Sequence, residues 1–227
     1  KPKSSSNTPK TTKPPIEMIT RVRDIAWIGQ HDQAIELATQ ALSEKRLKFK
    51  EQMDLLDLRA ESYLAIGKLD LSTKDAAAML NIANSEKNPA FKAQALNRKA
   101  YIQIKLGDLT ASIKTASLAV KTAQSINTKE RHSLLALSLF RLSEAQFRTQ
   151  HSAEALVTGQ KAMVLYKEIG DASGTGRAYW SQGVSYYGLG QAEESRRAGQ
   201  TALELCQSTG DQYGIGNAGS RHPPDRS

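Results

Sequence analysis

The residue types that do chemistry in proteins are thinly spread along this chain. His31, His132, His151 and His222 stand far apart. No two of them have helical i, i+4 spacing and none has a cysteine partner, so they form no zinc-type ligand set, and each reads as a surface residue. The one cysteine, Cys206, has no neighbouring base to make it a nucleophile and reads as a small buried apolar side chain. The glycines of Gly170-Asp171-Ala172-Ser173-Gly174-Thr175-Gly176 invite a phosphate-loop reading. No Gly-Lys-Ser/Thr ending follows them and no strand precedes them, so helix-turn glycines explain them better. The acid pairs Asp54/Asp57 and Glu193/Glu194 belong to solvated helix faces more often than to acid–base catalysis. The expectation is no enzyme, no metal and no cofactor, which leaves a surface.

The elements that must build that surface repeat. Gly170-Asp171-Ala172-Ser173-Gly174-Thr175-Gly176-Arg177-Ala178 returns forty residues later as Gly210-Asp211-Gln212-Tyr213-Gly214-Ile215-Gly216-Asn217-Ala218. Between the two phrases lie two stretches of helical length broken at Gly188-Leu189-Gly190. Traced backwards, the turn residues Gly29, Gly67, Gly107, Gln150 and Gly190 are separated by 38, 40, 43 and 40 residues. Five and twelve residues after each turn stand the pairs Ala34/Ala41, Ser72/Met79, Ser112/Ala119, Ala155/Ala162 and Ser195/Ala202. Seven residues is close to two helical turns, so each pair forms one stripe on which a neighbouring helix can approach closely. Seven before the turns stand Val22, Ala60, Ala100, Ser143 and Gly183, the matching stripe of each first helix. One helix hairpin per period, repeated, is the mark of a helical solenoid, in which no unit buries its apolar face alone.

At residues such as Leu58-Arg59-Ala60-Glu61-Ser62-Tyr63-Leu64-Ala65-Ile66-Gly67, and Gly183 through Ala202, the chain resembles the tetratricopeptide repeat family, in its longer-period form. The resemblance covers residues 15–218 and implies an all-α fold: a right-handed superhelical α-solenoid of antiparallel helix hairpins, with about five repeats. The expected division is a disordered basic Pro/Ser/Thr linker over 1–15, the repeat domain over 16–218, and a disordered tail over 219–227. Expected hairpins run over 16–42, 51–84, 90–125, 128–168 and 179–205. Asp32 is placed to cap a helix, as is Asn88 ahead of Pro89. The three extra residues before the fourth hairpin lengthen its first helix or its leading loop.

Composition sets limits on partners. The chain has 227 residues and a formal net charge of +8. Without the four lysines of the first fifteen residues and Arg221, Asp225 and Arg226, 25 basic residues face 22 acidic ones. The repeat domain is therefore nearly balanced, and nucleic acid is a disfavoured partner. No apolar run approaches membrane-spanning length and no secretory signal is present, so the expected location is cytoplasmic and no membrane partner is foreseen.

The family resemblance implies that the first helix of each pair lines a concave groove where a peptide or helix binds. Carried onto this chain, inward positions are Arg23, Trp27, Asp57, Glu61, Asn97, Tyr101, Lys105, Phe140, Glu144, Phe147, Arg148, Arg177, Trp180 and Tyr187. The lysine–asparagine clamp of the family's chaperone-binding members is absent, since Ile19, Arg23, Asp57 and Glu61 occupy the relevant helices. The expected groove is acidic at Asp57 and Glu61 and basic at Arg148 and Arg177. Its partner presents apolar anchors to Phe140 and Trp180 and an acidic end to the arginines. The expected function is a protein-interaction scaffold within a larger regulatory or signalling protein. The alternative is a ligand-sensing domain controlling an attached enzyme, such as a cyclase or kinase, or a DNA-binding domain. Self-association through an uncapped last repeat, residues 190–218, is a further expectation.

Overall fold

In a computed structural model, the described residues are 15–44, 46–211 and 214–215. They form ten helices and no strand: α1 (Pro15–Trp27), α2 (His31–Leu42), α3 (Phe49–Ala65), α4 (Leu69–Ser85), α5 (Pro89–Leu106), α6 (Leu109–Gln124), α7 (Arg131–Arg148), α8 (Ser152–Glu168), α9 (Ala172–Gly188) and α10 (Ala192–Thr209). The expected linker, apart from Pro15, and the expected tail lie outside the described residues. The three extra residues of the fourth repeat lie in the loop before α7, because α7 and α5 have the same length of 18 residues.

Each hairpin turns through a residue in the left-handed region: Gly29 (φ 81°), Gly67 (76°), Gly107 (81°), Gln150 (65°) and Gly190 (74°). That backbone costs an L side chain about 1–2 kcal/mol, so Gln150 is the strained member of the set. The next helices start on carboxylates or amides where the sequence offers them. Asn88 Oδ1 accepts from the amides of Ala90 and Phe91, and Asp108 caps α6 through Ala111. Asp32 does not cap α2: the chain enters that helix at Gln30 without a side-chain cap, and Asp32 lies in its first turn.

The stripes of small residues meet inside each hairpin, and nine of the ten second-helix positions are buried, Ser195 being the half-buried one. Where the stripe carries serine, its hydroxyl donates to the carbonyl of the facing residue twelve positions away. Ser72 bonds Ala60 at 2.8 Å, Ser112 bonds Ala100 at 2.9 Å and Ser195 bonds Gly183 at 2.8 Å. In the fourth hairpin the polarity is reversed, and Ser143 of α7 donates to the carbonyl of Ala155 on α8 at 2.8 Å. A buried hydroxyl is thereby satisfied at the point of closest helix approach.

The odd-numbered helices also touch one another in sequence, α1 with α3, α3 with α5, α5 with α7 and α7 with α9. No comparable contact links the even-numbered helices among the described residues. The odd helices therefore stand as staves along the inside of the curve and the even ones form the outer layer. The curve is tight. A methyl group placed on Gly210, at the end of α10, would lie 3.6 Å from Nε1 of Trp27, at the end of α1.

Candidate functional site

The site is built by the repeat period itself. Residues thirteen before each turn, namely Asp54, Gln94, Leu137 and Arg177, occupy equivalent positions on α3, α5, α7 and α9. Three of them, with Asp57, line a concave opening of about 510 Å³. Its apolar part is Phe91, Leu134 and Leu137, all half-buried, and around them stand Lys50, Glu130, Asp171 and Ser173. Gln94 donates to Asp54 and Asp57 across the α3–α5 seam at 3.4 and 3.3 Å.

The electrostatics differ from a simple acidic-to-basic gradient. Arg98, buried on α5, reaches back to α3 and holds Asp57 at 2.6 Å and Glu61 at 3.2 Å. Burial lowers the Arg98 pKa, but the charges of Asp57 and Glu61 more than compensate and raise it. Glu61 is 48 % exposed yet faces the enclosed side. Burial pushes its carboxyl up, and the guanidiniums of Arg98, Arg177 and Arg141 together bring it below its ordinary value. That α9 and α7 act on a carboxylate of α3 reflects how closely the staves converge.

Further along the α5–α7 seam, Arg141 and Arg148 share one carboxylate, the fully buried Glu144, at 2.8 and 3.5 Å. The Arg141 guanidinium lies 3.8 Å from the Tyr101 ring centroid, and Lys105 Nζ is 5.2 Å from that same centroid. Such placements over an aromatic face are favourable for cations. Lys105 has its pKa lowered, first by burial and then by Arg148 and Arg141, with Glu144 opposing. Arg177 is committed to the other direction. It forks onto Asp211 at 2.6 and 3.0 Å, and Asp211 also accepts from Ser173 and from the amide of Gly214. Asp171 makes the same capping bond to Gly174 at 2.8 Å, so the repeated phrase of the sequence is a repeated cap.

The expected site residues thus divide. Asp57, Glu61, Lys105, Arg148 and Arg177 lie on the inner face with their charges engaged as described. Asn97, Tyr101 and Phe147 are buried between staves; neither the oxygen nor the nitrogen of the Asn97 amide has a partner. Phe140 is wholly buried and Trp180 is 5 % exposed. Trp180 stands edge-on to Phe147 with ring centroids 5.4 Å apart. Phe140 and Trp180 fill the inter-repeat seam, so the expectation that these two act as surface anchors is corrected. A partner meets them only if α7 and α9 separate. Tyr187 is 65 % exposed and Trp27 42 %. Sequence reasoning missed Arg98 and Arg141, which both stand nine residues before a turn, and the apolar trio Phe91, Leu134 and Leu137. The same period that located the turns contained that signal.

The other candidate residues behave as structural ones. Cys206 is buried, and burial, with Asp211 adding, pushes its thiol up to about 11. A Cβ on Gly174 would run into the Tyr166 ring and one on Gly176 would crowd Cys206 Sγ at 2.8 Å, so these glycines allow close packing. His132 and His151 are exposed and His31 is half-buried, while His222 lies outside the described residues. No group of three or more His, Cys, Asp or Glu placed to hold a metal occurs among the described residues, and none of the helices is long and apolar enough to cross a membrane.

Comparison with known proteins gives the same architecture. The tetratricopeptide repeat profile matches residues 93–125, which are most of the third hairpin. No curated protein matches in sequence. Among solved structures, a Rap protein complexed with competence and sporulation factor superposes with a TM-score of 0.75 at 14 % identity, covering 88 % of this chain and 56 % of that one. The chain therefore spans little more than half of the Rap protein. Bacillus thuringiensis PlcR, solved with the peptide PapR7 and DNA, gives 0.73 at 12 % identity over 91 % of this chain and 74 % of that one. BtubC from P. vanneervenii gives 0.63 at 16 % identity, over 93 % and 84 %. The period, the hairpins and the matched repeat agree on a helical-repeat fold of the tetratricopeptide type.

Proposed function

We propose that the chain is a protein-interaction module that takes a peptide segment in its concave groove and serves as the recognition part of a larger regulatory protein. The observation that carries this reading is the opening of about 510 Å³, lined from four successive staves by half-buried apolar side chains and by charges. A volume of that size falls in the range of sites that enclose small ligands, roughly 300–1,000 Å³. An α-helix with its side chains is about 10–12 Å across, so a short extended segment suits the opening better than a helix. The fold likeness to Rap and PlcR, both solved with a peptide-type factor, supports the same reading.

A photo-crosslinking amino acid at Leu137, inside the groove, tests it against the same residue at Leu118, on the outward face of α6. Peptides or proteins of the native host should be trapped from Leu137 and not from Leu118. Equal capture from both positions, or capture from Leu118 alone, sinks the groove reading. A second reading, a sensor that controls an attached effector, is favoured by the likeness to PlcR, whose structure includes DNA as well as peptide. An enzymatic or DNA-binding segment adjoining this one in the natural protein would decide for it.

A further inference from the structure

The wall of the opening next to α9 departs from the repeat pattern at one pair of positions. Four residues after the second-helix stripes of hairpins two to five stand Ala83, Ala123, Tyr166 and Cys206, all buried. Sixteen residues before the turns of hairpins three to five stand Phe91, Leu134 and Gly174. Where the preceding helix offers alanine, the stave supplies a large apolar side chain. After α8 the bulk is exchanged: a Cβ on Gly174 would run into the Tyr166 ring, and Tyr166 lines the opening together with Phe91 and Leu134. A phenylalanine would fill that space equally well. Tyrosine adds a hydroxyl, and although the residue is only 5 % exposed, that hydroxyl makes no hydrogen bond among the described residues. A buried phenol ordinarily has a partner. Burial pushes its pKa up, with Arg141 and Arg177 opposing and Asp171 adding, so the group is a protonated donor at neutral pH.

We propose that the Tyr166 hydroxyl orients the peptide in the groove by donating a hydrogen bond to the backbone carbonyl of the residue whose large apolar side chain rests on Phe91, Leu134 and Leu137. The inference rests on the groove reading above and adds the group that fixes the occupant's direction. An opening of about 510 Å³ holds a side chain and the carbonyl beside it, so one residue of the partner satisfies both walls. The acceptor is neutral. Both cations that line the opening are engaged, Lys50 by Asp54 at 2.7 Å and Arg177 by Asp211 at 2.6 Å, and Asp57, Glu130 and Asp171 line it as well. A carboxylate brought there meets three like charges, whereas an amide carbonyl adds none. The partner is therefore held by an uncharged stretch of its chain.

The test is selection from a random phage-displayed peptide library on the intact chain, followed by calorimetric titration of the enriched synthetic peptides into the unmodified chain, Tyr166→Phe and Leu137→Arg. Because the hydroxyl holds nothing in the folded chain, Tyr166→Phe should melt with the unmodified protein or slightly above it. It should bind the peptides about fivefold or more weakly, since their carbonyl is then buried without a donor, and Leu137→Arg should abolish binding. Equal affinity for Tyr166→Phe and the unmodified chain, with binding lost in Leu137→Arg, overturns the donor while the groove reading stands. A Tyr166→Phe chain that melts clearly lower or fails to fold also overturns it, because the hydroxyl would then have a structural partner. Peptides that need an Asp or Glu, and lose their dependence on Tyr166 when it becomes Asn or Gln, overturn the neutral acceptor. Peptides indifferent to Leu137→Arg, or no enrichment at all, overturn both the donor and the groove.

Discussion

Removing the hydroxyl of Ser112 is the cleanest probe of how the staves are held. Its Oγ is fully buried and donates to the Ala100 carbonyl at 2.9 Å. That carbonyl faces the interior of α5 and keeps its own helical amide in a Ser112→Ala chain, so no buried acceptor is orphaned. The loss is then that of one neutral hydrogen bond, about 0.5–1.5 kcal/mol. For a domain of this size that is a fall in Tm of roughly 1–6 °C. The first hairpin supplies the converse experiment. It has Ala34 where the others have serine or its equivalent, facing Val22, so Ala34→Ser should gain up to about 1 kcal/mol by adding the missing bond. Differential scanning calorimetry of both variants, and of the pair together, reads the result; sites in separate hairpins should add. A Ser112→Ala chain melting with the unmodified one, together with a destabilised Ala34→Ser chain, would show that close approach alone holds the hairpins and the serines are incidental.

Four further outcomes follow from packing and charge. Ala119→Leu overfills a fully buried position and should cost about 1–3 kcal/mol, whereas an unchanged melting temperature would mean the helix register is misassigned. Gln150→Gly relieves the one non-glycine hairpin turn and should stabilise by about 0.5–1 kcal/mol, the strain relief being partly offset by a freer unfolded chain; a lower Tm refutes the strain argument. Burial raises the Asp211 pKa, but Arg177, Ser173 and the Gly214 amide bring it below its ordinary value. Its contribution is therefore present above the unfolded pKa of about 4 and is lost as pH falls through the lower folded value, so thermal melts of the chain and of Asp211→Asn should converge in acid, and a constant gap would count against the pair. Finally, α10 leaves Gly199 with nothing within 4 Å of a built Cβ, and we expect concentration-dependent self-association through this edge in light scattering, abolished by Gly199→Arg; a monomer at every concentration removes that expectation.

Much of the architecture was legible because one period fixes many positions together. The turn glycines, the small-residue stripes and the repeated Gly-Asp phrase each carry the spacing, and each has a local physical cause: a left-handed turn, a close helix approach, a capping carboxylate. The site was less legible, because which inner residue meets which depends on the rotation between neighbouring hairpins. Asp57 and Glu61 look like an acidic patch within α3, and only the placement of α5 brings Arg98 onto both. Phe140 and Trp180 look like anchors on a helical wheel, yet the staves stand close enough to bury them, leaving Leu134 and Leu137 of α7 to face the opening. Long flexible arginines add to the difficulty, since their charge acts several ångströms from the helix that bears them.

The approach of Trp27 to Gly210 makes timing a property of this fold. With the first and last described hairpins nearly in touch, the inner face is a collar, and a partner enters by threading from an end or waits for the ends to part. Threading suits a free peptide terminus. A loop within a folded protein must wait, and its observed association rate then stops rising with concentration once opening limits it. Trp27, 42 % exposed at that junction, sits where its fluorescence would register the parting, so one stopped-flow trace can tell the two entrances apart.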